Sequence, residues 1–201
     1  MADYDLTRRS RPVVICEYRA SWADEFIRLA ERLRSLVGSA AARIDHVGST
    51  AVPGLAAKDV IDVQVTVRNL NAAADVVEPL TAAGFRQGDI FVYDEFRTMA
   101  PDDVELRKLY MREPEGERRA HIHIREAGRF NQQYALLFRD YLRASEAVAA
   151  EYEVLKRRAA QLFPDNIDGY LYLKDPVFHI IYEAARQWSQ AVGWHPGGDY
   201  L

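Results

Sequence analysis

The sequence reads as an α/β (α+β) fold, a mixed sheet flanked by helices and followed by a helical C-terminal part. Two observations point there. Through the first two thirds, short β-branched runs such as Val60–Val67 alternate with stretches whose apolar residues recur at helical spacing. From Phe130 to Val192 the pattern is helical throughout. No repeat, low-complexity tract or Ser/Gly linker divides the 201 residues, so they are read as one domain, 1–201. Within it an α/β core spans 13–128 and a helical subdomain 129–192, with tails at 1–12 and 193–201.

The elements follow in order. After a polar arm, Val13–Cys16 is a short β-type run. Ser21, with Asp24 three residues on, supplies an N-cap. Trp22, Phe26, Leu29, Leu33 and Leu36 place an amphipathic helix over Ser21–Val37, ended by Gly38. Ala42–His46 is a strand entering the turn His46–Thr50, and Val52–Leu55 is a second turn. Val60–Val67 is a strand buried on at least one face. Leu70, Ala74, Val77 and Leu80 make a helix closed by Gly84. Short strands are expected at Phe85–Arg86, Ile90–Tyr93, Leu106–Met111 and Ala120–Arg125, with polar loops at Asp94–Glu105 and Arg112–Arg119. Tyr134, Leu137, Phe138, Tyr141 and Leu142 give one helical face. Ser145 caps a second helix, which carries Val148, Tyr152, Leu155, Ala159 and Leu162. Pro164–Gly169 breaks it, and Tyr170–Lys174 and Pro176–Val192 supply the last helical turns.

Composition removes several classes of function. One cysteine, Cys16, excludes an intramolecular disulfide framework and a cysteine zinc cluster. No apolar run approaches the roughly 18 residues of a membrane span, and no apolar leader follows Met1, so the expected setting is cytoplasmic, without a membrane partner. A net charge of −4 argues against general nucleic-acid binding. The oligomeric state is not legible.

Three patches could carry chemistry. His46-Val47-Gly48-Ser49-Thr50 ends a strand with a backbone able to approach a ligand closely, and amides and a hydroxyl suit phosphate oxygens. Its plain alternative is a turn chosen for its backbone. Asp62 and Gln64, two apart on a strand, share a face. A carboxylate in that run is costly unless paired or metal-bound, and an ion pair to an arginine is the alternative. His121 and His123 also share a face, as metal ligands do or as the outward residues of an edge strand do. Arg125 stands where a histidine-triad hydrolase would have its third alternate histidine, which counts against that class. In order, the patches resemble the polymerase-beta type of nucleotidyltransferase, in which Gly-Ser grips a triphosphate and carboxylates on two strands hold divalent metals.

The match sharpens over the stretch from Ile44 to Val65, with its block Gly48-Ser49-Thr50-Ala51-Val52-Pro53-Gly54-Leu55 and the strand Ile61-Asp62-Val63-Gln64. This stretch resembles the signature of the GrpB family. So do His121–Ile124, Leu137–Arg143, Tyr152, Leu155–Lys156, Phe163, Tyr170 and Lys174, and the resemblance covers roughly Val14 to Ile181. It implies a minimal nucleotidyltransferase-like fold with a helical C-terminal part, in a family of largely unknown substrates. In some bacteria a related domain is fused to dephospho-CoA kinase.

The resemblance implies a nucleoside triphosphate donor and an unknown small-molecule or protein acceptor. Gly48, Ser49 and Thr50 would bind the nucleotide, with Lys58, Arg139 and Lys174 as further phosphate contacts. Asp62 would be the first metal carboxylate. Gln64 stands where the superfamily has its second, and His121 and His123 lie where the third is expected; these four are the expected catalytic and metal residues. The expected cofactor is a divalent metal, Mg²⁺ or Mn²⁺, with Zn²⁺ or Fe²⁺ as alternatives: Mg²⁺ prefers hard oxygen ligands, the neutral Gln64 amide binds it weakly, and two imidazoles suit Zn²⁺, Mn²⁺ or Fe²⁺ better. Two other readings therefore stay open. One is a single-transition-metal hydrolase or lyase on His121, His123 and Asp62, with His46 as a possible fourth ligand. The other is a degenerate, non-catalytic nucleotide or small-anion binding module.

Overall fold

A computed structural model describes residues 4–88 and 92–197. Among them, five strands form one mixed sheet: β1 (Ala41–Val47), β2 (Ile61–Val67), β3 (Arg86–Gln87), β4 (Lys108–Arg112) and β5 (Ala120–Glu126). They lie in the order β1-β2-β5-β4-β3, with β2 and β5 parallel and all other neighbours antiparallel. Helices α1 (Ser21–Val37) and α2 (Ala74–Ala82) belong to the first half. Helices α3 (Phe130–Ala144), α4 (Glu146–Leu162) and α5 (Ile167–Val192) follow the sheet.

Strict alternation makes the sheet two-faced. Ile61, Val63, Val65 and Val67 of β2, with Ile122 and Ile124 of β5, point into a core shared with Trp22, Phe26 and Leu33 of α1 and Val76 and Leu80 of α2. The intervening residues are polar: Asp62 and Gln64 on β2, and His121, His123 and Arg125 on β5. Behind that second face the C-terminal helices pack on one another. Val52 and Leu55, from the turns after β1, join Phe138, Leu142, Tyr152 and Ile181 in a second core. The β1–β2 connection is thereby clamped between sheet and helices.

Several local expectations change. Ser21 begins α1 rather than capping it; the cap position is Ala20, and the Ser21 hydroxyl donates to Glu25 at 2.8 Å. Ser145 occupies the cap position of α4 but makes no side-chain cap. Val13–Cys16 forms one isolated bridge, Cys16 with Ala57. Leu106 belongs to a 3-10 turn that precedes β4. Ile90 and Phe91 of the expected strand Ile90–Tyr93 lie outside the described residues, and Tyr93 forms an isolated bridge with Arg107. Pro176 does not break the last helix; α5 runs through it. An internal proline costs one backbone bond, and Phe178, Ile181, Tyr182 and Ala185 beyond it are packed against α3 and α4 residues, which offsets that loss. The N-terminal arm is docked: the Ser10 amide donates to the Asp165 carbonyl at 2.6 Å and the Val13 amide to Pro164 at 2.7 Å. No described helix is long and apolar enough to cross a membrane.

Ile122 is fully buried at the centre of the sheet. Ile122→Ala is expected to cost about 2–5 kcal/mol, read as a lower urea midpoint at an unchanged denaturant slope.

Candidate functional site

The chain leaves β1 at Gly48 with φ +71° and ψ −173°, a region that is nearly glycine-only. A Cβ at this position would lie 2.4 Å from Asp62 Oδ2. The turn therefore needs glycine twice, for its backbone and for its close approach to the carboxylate.

Parallel pairing of β2 with β5 sets Asp62 beside His121 and Gln64 beside His123. His121 Nδ1 lies 3.0 Å from Asp62 Oδ1. One donor atom each from Asp62, His121 and His123 falls within 4.8 Å of the others. His121 Nε2 and His123 Nδ1 are buried without a hydrogen-bond partner, a costly arrangement for an apo protein and the expected one for ligand atoms. The Tyr110 ring sits 5.6 Å from His121 and 5.4 Å from His123, walling the cluster on the β4 side. Burial raises the Asp62 pKa, but the His121 hydrogen bond and the charges of His121, His123 and Lys58 outweigh it and hold the carboxyl at about 2. Burial, with Arg125 and Lys108, pushes His123 well below the ordinary histidine value, so it is a neutral donor near pH 7.

Two nitrogens and one carboxylate suit a single Mn²⁺, Fe²⁺ or Zn²⁺. They do not suit a pair of Mg²⁺ ions, because the other carboxylates nearby are taken. Asp45 accepts from Arg43 at 2.5 and 2.6 Å. Asp94 accepts from Arg125 at 2.8 and 3.1 Å and from Asn131 at 3.1 Å, and it pairs with Lys108. Gln64 points to the same face but its amide is committed. Its Oε1 accepts from Arg125 at 2.8 Å and its Nε2 donates to the Gln132 carbonyl at 3.1 Å.

His46 does not join the cluster. It pairs with Val63 across the β1–β2 ladder and so faces the opposite side of the sheet. There it stacks on Phe26 at 4.7 Å. The Thr50 hydroxyl donates to the Val60 carbonyl at 3.3 Å and lies 3.0 Å from His46 Nε2, so Thr50 props the turn. Arg139, expected at a phosphate, is buried and donates to the His46 carbonyl at 2.9 Å and to Asp140 at 2.7 Å; it ties α3 to the end of β1. Asp59 faces away, bonded to Trp22, Arg19 and Arg118.

Cations gather on the helical side of the turn. Lys58 precedes β2 and lies over the Tyr170 ring at 5.2 Å. Lys174 of α5 lies over Phe178 at 5.1 Å, with Asp175 3.8 Å away. Lys156 of α4, which the sequence reading did not assign a role, is buried and donates to the Ala56 carbonyl. Its signal was present: it lies four residues after buried Tyr152 and three before buried Ala159, on the packed face of its helix. Burial and then Lys174 hold Lys58 at about 8 and Lys156 at about 7. Ser49 hydrogen-bonds Tyr152 on the same side.

The fold agrees with that of the chain's relatives. The profile of the GrpB protein family matches residues 12–184, and the chain belongs to that family. Over 199 residues it is 38% identical to a dephospho-CoA kinase of Mycolicibacterium paratuberculosis, covering 92% of this chain and 49% of that one. It is 33% identical to the UPF0157 protein YqkA of Bacillus subtilis, covering 90% and 49%. The chain thus spans about half the length of these curated relatives. Among solved structures, the conserved protein GrpB from Enterococcus faecalis superposes with a TM-score of 0.71 at 28% identity, over 87% of this chain and 99% of that one.

Burial holds His46 at about 4, below its ordinary 6.5. The unfolded chain therefore binds the extra proton first, and folding stability should fall as pH drops from about 6.5 to about 4, by an order of 1–3 kcal/mol. His46→Phe should flatten that limb of a stability–pH curve measured by chemical denaturation, whatever it does to absolute stability.

Proposed function

We propose that the chain is a metal-dependent nucleotidyltransferase, moving a nucleoside monophosphate from a nucleoside triphosphate to a small-molecule or protein acceptor. The approach of the Gly48 turn to Asp62 carries this reading. It sets the Gly48 backbone, which would grip phosphate together with Ser49, against the carboxylate of the candidate metal cluster, with Lys58, Lys156 and Lys174 electrostatically coupled to one another. Asp62, His121 and His123 would hold one borderline divalent ion, whose charge would stabilise the phosphate oxygens. Ser49 and the lysines would bind and orient the β- and γ-phosphates. The acceptor's oxygen or nitrogen would then bond to the α-phosphorus as the bridging oxygen to the β-phosphate departs with pyrophosphate, the acceptor's proton passing to solvent. Gln64, Arg125 and Asp94 form the hydrogen-bonded floor that keeps the His123 strand in place. The two-histidine, one-carboxylate donor set also favours a second reading, a single-metal hydrolase or lyase on the same residues.

Nucleoside triphosphates labelled at the α-phosphorus, offered with Mn²⁺, Zn²⁺ or Mg²⁺, separate these readings. A metal-dependent rise in melting temperature with nucleotide is expected, lost in Asp62→Ala, and Lys174→Gln should weaken nucleotide binding by roughly tenfold. Nucleotide binding untouched by Asp62→Ala would sink the proposal. Release of labelled monophosphate to water alone would favour the hydrolase.

Metal analysis of the purified protein should find about one Mn²⁺, Fe²⁺ or Zn²⁺ per chain rather than Mg²⁺. His121→Ala/His123→Ala should bring that content close to zero. Full retention in the double variant would show that the metal lies elsewhere.

A further inference from the structure

Lys58 also lines a cavity of about 250 Å³. Arg11, Val14, Cys16, Arg19, Lys58 and Arg119 are among its lining residues; Ser49, Lys156 and Lys174 are not. Its charges do not balance. Asp59, the carboxylate on its wall, is shared by Arg19 at 2.9 Å and Arg118 at 2.5 Å. Among the described residues, no carboxylate lies within ion-pair distance of Arg11, Lys58 or Arg119. Arg119 Nε is buried with no hydrogen-bond partner. The main chain at Arg11 is held, because its neighbours Ser10 and Val13 are bonded to the α4–α5 connection, and its side chain is exposed at the cavity mouth. The cations oppose one another: after burial, Arg11 and Arg112 lower Arg119, and Arg119 and Arg11 are among the charges that lower Lys58. Asp62 acts on Lys58 and Glu113 on Arg119 from a distance, but neither is an ion-pair partner, so the three cations around the cavity keep a repulsion that a bound anion relieves.

We propose that this cavity is a subsite for the phosphate of a phosphorylated small molecule, the acceptor in the reaction proposed above. Two guanidiniums and an ammonium carry more than enough positive charge for a phosphate dianion, and the guanidinium fork matches its oxygens in geometry. The volume is below the roughly 300 Å³ at which pockets for drug-sized ligands begin, so the cavity takes a headgroup rather than a whole nucleotide. Lys58 borders both the cavity and the Asp62 side, which places the anion next to the metal cluster without entering it. The role as acceptor rests on the nucleotidyltransferase reading, whereas the anion site stands on its own residues.

The test uses inorganic phosphate, titrated into the full chain in EDTA. Binding is followed calorimetrically and by the Arg119 Nε–H signal in a proton–nitrogen spectrum. Phosphate should bind and move that signal, and Arg119→Gln and Arg11→Gln should each weaken binding about tenfold or more. Arg119→Lys should recover part of the loss, and Lys174→Gln should leave phosphate affinity within about twofold. In a separate titration without EDTA, a non-hydrolysable triphosphate with Mn²⁺ should bind alongside the phosphate. Phosphate affinity unchanged in both arginine variants would overturn the subsite. So would phosphate displaced by the triphosphate and weakened by Lys174→Gln, which would place the anion among the donor phosphates. Arginine-dependent phosphate binding by a protein that binds no triphosphate would uphold the subsite and overturn the nucleotidyltransferase reading.

Discussion

The register of the parallel β2–β5 pair governs the site. Asp62 against His121 and Gln64 against His123 place four polar side chains on one face of two adjacent strands. On the other face the same two strands present Ile61, Val63, Val65, Ile122 and Ile124 to α1 and α2. A slip of one residue would drive Asp62 and the histidines into that core and expose the aliphatic row, so the hydrophobic face enforces the register. The candidate metal cluster therefore draws its precision from packing that it does not touch.

The polar face is costly to bury, and the chain compensates with paired charges. Arg125 bridges Gln64 and Asp94, Lys108 adds to Asp94, and Arg43 holds Asp45. Each of these carboxylates is satisfied and so is poorly placed to serve a metal. Asp62 differs. Its neighbours are the two imidazoles and the Gly48 turn, and two imidazole nitrogens beside it remain without partners. Such orphaned atoms cost free energy in a merely structural face, which is the physical ground for reading Asp62, His121 and His123 as ligands and their neighbours as scaffold.

How much of this was legible depended on the kind of signal. Periodicity placed α1 at Ser21–Val37 and the central strands within a residue or two, because burial on one face writes itself into the pattern. Spacing of two put Asp62 with Gln64, and His121 with His123, on shared faces. Spacing could not show that Gln64 is spent on Arg125 and Gln132, since those partners come from distant segments. His46 was misplaced for a related reason: its neighbour Gly48 lies at the site, but parity along β1 sends the imidazole to Phe26. Arg139 matched the family pattern and still proved to be a tie between α3 and β1, because a motif specifies residue type and not the direction of a side chain. The helix through Pro176 was missed because local propensity favours a break there, and tertiary packing overrides it.

The charge inventory suggests how such a site handles phosphate. A two-metal design brings cationic charge with the ions and balances it with several carboxylates. Here the cluster offers one carboxylate and two imidazoles, enough for one ion. The rest of the positive charge is built into the chain: Lys58 with Lys156 and Lys174, and Lys58 with Arg11 and Arg119 around the cavity. Those cations come from the N-terminal arm, the turn before β2, the residue before β5, and helices α4 and α5. Fixed cations repel one another in the empty protein, whereas dissociable ions leave with the product. That repulsion offsets part of the folding free energy gained where α4 and α5 pack on α3 and on the turns after β1, and bound anionic ligands would return it. Ligand binding and the stability of the helical part are then linked through the same electrostatic term, with Lys58 common to both groups of cations.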